Sequence, residues 1–411
     1  MGGVPCASGL GRDVGPRPPI LPDVCLTRSG VLGVTVGLAL VAALAQAGGR
    51  ALPDTALVAA NVPPDATASN NQTKIVRVPA GLVVAYVGRD GAATQVFLAL
   101  SRDDGVHWSL LGRASQGQVS SRLPAVARTA TGELHVVWTR YDGGVGTVYD
   151  RVWAGGRWTG PPRRLSAGGG YAGYPAVAAT AGGALQVAWY GIVQGTPPAA
   201  TRHGALYEIY ATGFDGRGWS RPQRISPGLP DAVNPALAAD AGGRVHAAWF
   251  QFDGHSYQVR YARWEGVWDR PGPVYRVGVD EFNPDLATDA AGHVTVVWEH
   301  HAASGSRIAA ATWRGARWDG PVLLSAPPPE AFHPSVAAGG SGTVAVAWEG
   351  EDGQVYLRRY AQAWGPVVRL TGEGVNAFPS VLVEGPWIDL VWTHSSPRGS
   401  EVRFLRVPAR P

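Results

Sequence analysis

Short apolar runs alternate with small turns in a fixed order along most of this chain. Residues 234–249 show the pattern: an extended apolar run, a turn with a Gly pair, and a second apolar run that ends in Trp. A third run follows at 257–263, and a short fourth one occurs after an aromatic turn, as at 321–325. Apolar runs of about four to eight residues between turn residues are typical of β-strands. The pattern therefore predicts repeated, four-stranded antiparallel units.

A Pro that opens the first strand and a Trp that closes the second mark each repeat. The marker pairs are Pro124 and Trp138, Pro175 and Trp189, Pro235 and Trp249, Pro284 and Trp298, Pro334 and Trp348, and Pro379 and Trp392. Gln72 and Tyr86 hold these places in the first copy. Each pair is 14 residues apart except the last, which is 13 apart. Seven such copies predict an all-β, seven-bladed β-propeller.

The two ends of the chain predict how the ring closes. The last copy has a third strand at 401–407 but no fourth one before Pro411, and an isolated apolar strand stands at 55–60. If that N-terminal strand completes the last blade, two exposed sheet edges disappear. We therefore expect one propeller domain over residues 48–411.

Residues 1–47 read as a leader with a secretory signal. Arg28 precedes an apolar run at 31–45, and Ala45-Gln46-Ala47 is a small-x-small cleavage site. The run is short for a membrane span, so we expect cleavage after Ala47, no membrane span in the mature chain and a secreted or extracytoplasmic protein. An uncleaved N-terminal anchor is the alternative.

Composition removes several classes of chemistry. Cys6 and Cys25, the two cysteines, both precede the expected cleavage site, so the mature chain lacks disulfides and thiolate ligands. The formal charge of +4 comes from scattered Arg residues, so no nucleic-acid partner is expected. His300 and His301 follow Glu299, but neighbours on a strand point to opposite faces, so no metal site is expected there. We expect no cofactor and a monomer.

One turn carries a recognisable motif. Residues 101–108 read Ser-Arg-Asp-Asp-Gly-Val-His-Trp, matching Ser-x-Asp-x-Gly-x-x-Trp. Ser101 and Asp103 are expected to hydrogen-bond turn amides while Trp108 packs beneath them. With this motif the chain resembles the sialidase-like, Asp-box (BNR-repeat) β-propellers over nearly all its length after residue 55. In that family the box is a folding device on the face opposite the active site, so it does not imply catalysis.

The resemblance also implies what a sialidase site would need. Sialidases of this family use three arginines for the substrate carboxylate, a Tyr nucleophile activated by Glu, and an Asp acid. The first copy reads Asn-Asn-Gln-Thr at 70–73, without the family's first arginine, and the nearest echo is Arg122 before Pro124. The weak catalytic candidates are therefore Arg122, Tyr190, Glu299 and Glu349. Convergence of Arg122 with Arg140, Arg202 and Arg307 on one carboxylate would favour an enzyme.

Chain direction brings the loops before each Pro and after each Trp to one rim of the ring. The rim residues proposed to bind a ligand are Tyr174, Tyr190, Asn234, Phe250, Asn283 and His333. Glu299 and Glu349 hold equivalent places in adjacent blades, either as a carboxylate pair or as solvated or Arg-paired charges. The insertion at 191–204 is a candidate lid.

The sequence favours a secreted, sialidase-like propeller that binds a glycan or cell-surface polymer and serves as a binding or scaffold module. It leaves two alternatives open. One is a glycoside hydrolase of the exo-sialidase type with a rearranged arginine cluster. The other is a propeller that binds proteins.

Overall fold

Seven antiparallel sheets make up the part of the chain that the structure describes. A computed structural model describes residues 53–69, 71–167, 170–192, 207–228 and 231–410. Within these ranges there is no helix, and each sheet has four principal strands. The predicted seven-bladed β-propeller is confirmed. The expected leader and signal, Asn70, Arg202 and most of the candidate lid lie outside the described residues.

The strands follow the predicted repeat. Blade 1 contains β2 (Ile75–Val78), β3 (Gly81–Asp90), β4 (Ala93–Ser101) and β5 (Ser109–Arg113). Blade 2 contains β6 (Ser121–Arg128), β7 (Leu134–Asp142), β8 (Val145–Ala154), β9 (Arg157–Trp158) and β10 (Arg163–Arg164). Blade 3 contains β11 (Ala172–Ala179), β12 (Leu185–Ile192), β13 (Tyr207–Phe214) and β14 (Gln223–Arg224). Blade 4 contains β15 (Ala232–Ala239), β16 (Val245–Phe252), β17 (Tyr257–Trp264) and β18 (Gly272–Pro273).

Blades 5 to 7 complete the ring. Blade 5 contains β19 (Asp280–Thr288), β20 (Val294–Ala302), β21 (Gly305–Trp313) and β22 (Trp318–Leu323). Blade 6 contains β23 (Ala331–Ala338), β24 (Val344–Gly350), β25 (Val355–Tyr360) and β26 (Val368–Arg369). Blade 7 contains β27 (Val375–Glu384), β28 (Trp387–Ser396) and β29 (Gly399–Pro408), and β1 (Ala56–Val62) is its outermost strand.

Blade 7 joins the two ends of the chain. β1 pairs antiparallel with β29, from Ala56 opposite Phe404 to Val62 opposite Ser400. The ring therefore closes as the sequence predicts, and β29 is not left as an open edge.

The repeated Trp residues fill the space between blades. Trp249 of blade 4 is fully buried and lies in one core cluster with Ala188 and Ile209 of blade 3. Trp138 and Trp298 are equally buried at the same place in their own blades. A large ring at this position supplies the apolar area that two splayed sheets need to pack against each other.

The innermost strands of blades 2 to 7 share a β-bulge at the residue before the repeated Pro. In blade 5 the register shifts between Phe282 and Asp285, so the inner strand carries one more residue than its partner. The bulged residue has a positive φ in all six blades: Leu123, Tyr174, Asn234, Asn283, His333 and Phe378, at 47° to 56°. Asn tolerates this conformation better than most residues. The six bulged side chains therefore leave their sheets with the same backbone conformation and at the same position in each blade.

The turn at residues 101–108 has the hydrogen bonds expected of it. Ser101 Oγ accepts the Gly105 amide at 2.8 Å, and Asp103 Oδ1 accepts the His107 amide at 2.9 Å. Trp108 Nε1 donates to the Gly105 carbonyl at 3.0 Å, and its ring packs on Phe404 at 5.3 Å. The turn between β4 and β5 therefore packs blade 1 against blade 7.

Candidate functional site

The bulged residues lie on one rim, where first strands begin and second strands end. Tyr174, Asn234, Asn283 and His333 all occupy the bulge. Arg122 does not share this position. It lies one residue earlier and pairs with Thr139, while Leu123 takes the bulge of blade 2.

A second set of rim residues ties neighbouring blades together at three places. There the residue after the closing Trp accepts the backbone amide of the bulged residue in the following blade. The pairs are Tyr174 N to Thr139 Oγ1 (3.1 Å), His333 N to Glu299 Oε1 (2.8 Å) and Phe378 N to Glu349 Oε2 (2.7 Å). Glu299 and Glu349 therefore have the same structural role as Thr139, since each accepts a backbone amide of the next blade. Their equivalence in sequence reflects this inter-blade bond and does not indicate a bare carboxylate pair.

A chain of polar side chains runs along the rim from blade 4 to blade 6. Asn234 Nδ2 donates to Asn283 Oδ1 at 2.8 Å, and Asn283 Nδ2 donates to Glu299 Oε1 at 2.9 Å. His333 Nδ1 bonds Glu349 Oε1 at 2.7 Å. Burial alone would lower the pKa of His333, but the Glu349 carboxylate outweighs it and raises that pKa to about 9. His333 is therefore an imidazolium at neutral pH.

Glu299 is ionised within this chain. Burial favours its neutral form, yet the hydrogen bond from His301, at 3.0 Å, and the nearby His333 charge lower the pKa of Glu299. Two carboxylates against one imidazolium give this part of the rim a small negative charge. The polar rim is thus suited to hydroxyl groups and is unfavourable for an anion.

Aromatic rings form the rim of blades 3 and 4. Tyr174 stacks on Tyr190 at 5.2 Å, and Tyr190 meets Tyr207 edge to face at 5.1 Å. Tyr190 is only 5% exposed, so it supports Tyr174 from below and offers little surface to a ligand. Burial also raises the pKa of Tyr190 well above its ordinary value, the opposite of what a Tyr nucleophile needs. Phe250 is half-buried against Phe282, at 5.3 Å.

The candidate arginines do not form a cluster. Arg122 bonds Asp65 Oδ2 at 2.9 Å. Arg140 is opposite Ser121 in the blade 2 ladder, so it points to the other face of the sheet from Arg122. Arg307 is in blade 5 and bonds Ser304 Oγ at 2.9 Å. These three arginines cannot clamp one substrate carboxylate from these positions.

Residues 71–74, at the start of the first repeat, lie against the innermost strands of other blades. Their side chains donate to carbonyl groups of the inner strands of three blades: Asn71 to Pro235 O (2.7 Å), Gln72 to Pro175 O (2.9 Å) and Lys74 to Pro124 O (2.6 Å). Lys74 is fully buried, and this burial lowers its pKa despite the Asp285 charge. The one sequence signal for these contacts was Gln72 in the place of a Pro.

Two negative findings apply to the described ranges only. No group of three or more His, Cys, Asp or Glu side chains there is arranged to hold a metal ion. Nor does that part of the chain contain a helix with the length and apolar character of a membrane span.

Comparison with known proteins shows likeness in fold. No protein-family model matches the sequence, and no curated protein matches it either. A polysaccharide lyase, an ulvan lyase solved with -[GlcA(1-4)Rha3S]-, is similar with a TM-score of 0.60 at 13% identity, over 87% of this chain and 96% of that one. A protein of unknown function from Dyadobacter fermentans has a TM-score of 0.54 at 14% identity, over 72% and 96%. A Hadza microbial sialidase has a TM-score of 0.48 at 13% identity, over 79% and 73%.

Proposed function

We propose that this protein is a carbohydrate-binding propeller that takes a neutral, hydroxyl-rich saccharide on the rim of blades 3 to 6. It acts as a secreted, monomeric binding or scaffold module of the Asp-box (BNR-repeat) type. The turn at residues 101–108 supports the family assignment, and the signal-like leader supports the location.

One observation carries the proposal: the repeated bulge delivers an aromatic ring, amides and an imidazole to the same edge. The side-chain amide of Asn234 donates one N–H to Asn283. Within the described residues its second N–H and its Oδ1 have no hydrogen-bond partner. His333 bonds Glu349 through Nδ1, and its Nε2 has no hydrogen-bond partner in those ranges. Amide and imidazole groups bond sugar hydroxyls, and the half-buried ring of Tyr174 suits the apolar face of a sugar.

The charge of the rim selects the class of saccharide. Glu299 and Glu349 lie directly behind the amides, with His333 as their counter-ion. A uronate or sialate carboxylate at this place would face two like charges, so a neutral sugar is favoured. The ulvan lyase and this chain share a fold, which supports a polysaccharide partner only by analogy, because one fold hosts many functions.

Binding is favoured over hydrolysis on the same geometry. A glycosidase needs two carboxyl groups that reach the scissile bond. Glu299 accepts three hydrogen bonds, from Asn283, His301 and the His333 amide, and Glu349 accepts two. Both acids are therefore committed to holding adjacent blades together.

Two variants that make the same change at different places test this function. Asn234→Gly removes a rim side chain at φ 52°, and Asn61→Gly removes an exposed one from β1 at φ 56°. Gly accepts positive φ without strain, so both variants should fold. On an array of neutral and acidic glycans, the wild-type protein and Asn61→Gly should bind the same neutral glycans.

Asn234→Gly should bind those glycans about five- to tenfold more weakly, the effect of one or two lost hydrogen bonds. Absence of glycan binding by the wild-type protein would refute the function and leave a protein partner as the alternative. Equal binding by Asn234→Gly and Asn61→Gly would show that the glycan does not bind at the rim.

A further inference from the structure

An open cavity lies on the face opposite the rim, where blades 1 and 2 meet. Its volume is about 410 Å³, and it is lined by Arg77, Arg102 and Arg128 together with the turn at residues 78–81. Arg77 and that turn belong to the hairpin of β2 and β3, Arg102 follows β4, and Arg128 ends β6. Three guanidinium groups from three chain segments therefore face one space of a size that suits a small ligand group.

Arg77 is held in place by a network of carboxylates. It bonds Asp104 Oδ1 at 2.6 Å and the Glu384 carboxylate, and Asp389 Oδ2 lies 3.8 Å from Nη2. Arg406 bonds the same Asp389 with two nitrogens, at 2.7 and 2.9 Å, and Asp104 at 3.1 Å. Asp104 and Asp389 are thus shared between the two arginines, and with Glu384 they fix the guanidinium of Arg77 at the cavity wall.

Arg102 and Arg128 differ from Arg77 in having no ion pair within the described ranges. Both are exposed. The acid next to Arg102 is Asp103, and its oxygens are taken up by Ser101, the His107 amide and the His107 ring. Two positive charges at the cavity are therefore left without a counter-ion from the residues that the structure describes. An anion placed between them would gain charge-assisted, bidentate hydrogen bonds.

An exposed aromatic ring adjoins the same network. Trp387 is 40% exposed, and the guanidinium carbon of Arg406 lies 5.7 Å from the centre of its ring. Arg406 shares Asp104 and Asp389 with Arg77, so the ring adjoins the network that bounds the cavity. Exposed Trp beside arginine combines a flat apolar surface with an anion site, a combination that suits a sugar bearing an acidic group.

We propose that this face is a second ligand site, which binds the carboxylate or sulfate group of an acidic polysaccharide between Arg77, Arg102 and Arg128. Trp387 supports a neighbouring sugar ring of the same polymer. Two unpaired arginines at one cavity suit a single acidic group, whereas a nucleic-acid backbone is bound along a longer basic stripe. The proposal is independent of the rim, since the two sites use opposite faces and opposite charge.

The test measures binding of polymers to the wild-type protein and two double variants by titration calorimetry at about 0.15 M salt, where the Debye length is about 8 Å. Arg102→Ala/Arg128→Ala removes the two unpaired arginines. Arg221→Ala/Arg270→Ala removes two exposed arginines from blades 3 and 4 with the same change of net charge. The probes are dextran sulfate, polygalacturonate, unmodified dextran and single-stranded DNA.

The wild-type protein and the Arg221/Arg270 variant should bind dextran sulfate or polygalacturonate, and the stronger of the two identifies the acidic group. The Arg102/Arg128 variant should lose about tenfold or more in affinity. Asn234→Gly should bind the acidic polymers unchanged, which separates this site from the rim. Equal losses in both double variants, no binding by the wild-type protein, or equally tight binding of the DNA would overturn the proposal.

Discussion

The ion pair of His333 with Glu349 gives a prediction that can be worked out in numbers. Burial opposes the imidazolium, but Glu349 outweighs burial and, with Glu299 nearby, raises the pKa of His333 from 6.5 to about 9. A group whose pKa is raised on folding stabilises the folded state fully below its unfolded pKa. That contribution is lost as the pH rises from about 6.5 through about 9.

The size of the effect follows from the same values. One pKa unit corresponds to about 1.4 kcal/mol, so a pKa raised from 6.5 to about 9 corresponds to about 3 kcal/mol before solvent screening. The His333 side chain is 31% exposed, and screening of partly exposed pairs reduces the effect to about 1–2 kcal/mol. The ionisation of His333 should contribute that amount to the fall in the free energy of unfolding of the wild-type protein between pH 6 and pH 10.

The assay compares wild-type protein with His333→Asn and Glu349→Gln. Asn tolerates the positive φ of residue 333, so His333→Asn removes the titrating group with little strain. Urea unfolding at pH 6, 8 and 10 should show the loss in wild-type protein and about 1–2 kcal/mol less of it in His333→Asn. An NMR titration of the imidazole should give a pKa near 9 in wild-type protein and a lower one in Glu349→Gln. An imidazole pKa at or below 6.5, or equal pH dependence of wild-type protein and His333→Asn, would refute the reasoning.

Three further predictions concern how the ring is held together. Asn71→Ala leaves the buried Pro235 carbonyl without its donor at 2.7 Å, so urea unfolding should show a loss of about 1–3 kcal/mol, and an unchanged midpoint would contradict the bond. Gly105 has a φ of 96°, and Gly105→Ala would place a methyl group 1.9 Å from the Phe404 ring. The free energy of unfolding should therefore fall by at least about 2 kcal/mol in urea unfolding. A loss below about 0.5 kcal/mol would be evidence against this packing. A chain without β1 (Ala56–Val62) exposes the edge of β29, so light scattering should detect association that the full chain lacks, and a stable monomer would contradict closure by β1.

The architecture was predictable because it repeats. A Pro and a Trp about 14 residues apart mark a backbone arrangement that each blade must share, and Trp249 and Trp298 are buried for that reason. The closing strand was predictable because the last copy lacked a fourth strand. The fold could therefore be predicted from the periodicity of the sequence.

The candidate site was only partly predictable, because its contacts join residues far apart in the chain. Glu299 and Glu349 hold equivalent places after a closing Trp, but nothing in the sequence indicates that they accept amides from the next blade. The donor from Asn71 to blade 4 spans 164 residues and has no repeat to announce it. Arg122 lies opposite Thr139, one residue before the bulge, and its bond to Asp65 joins residues 57 positions apart that no repeat relates.

The crystal structure of the complex with a neutral glycan selected on the array tests the central claim most directly. The account predicts sugar density on the rim, with hydroxyl groups about 2.7–3.2 Å from the Asn234 amide or His333 Nε2 and a sugar ring against Tyr174. Density at the arginine-lined cavity or along the outer strands, with the rim unoccupied, would contradict it.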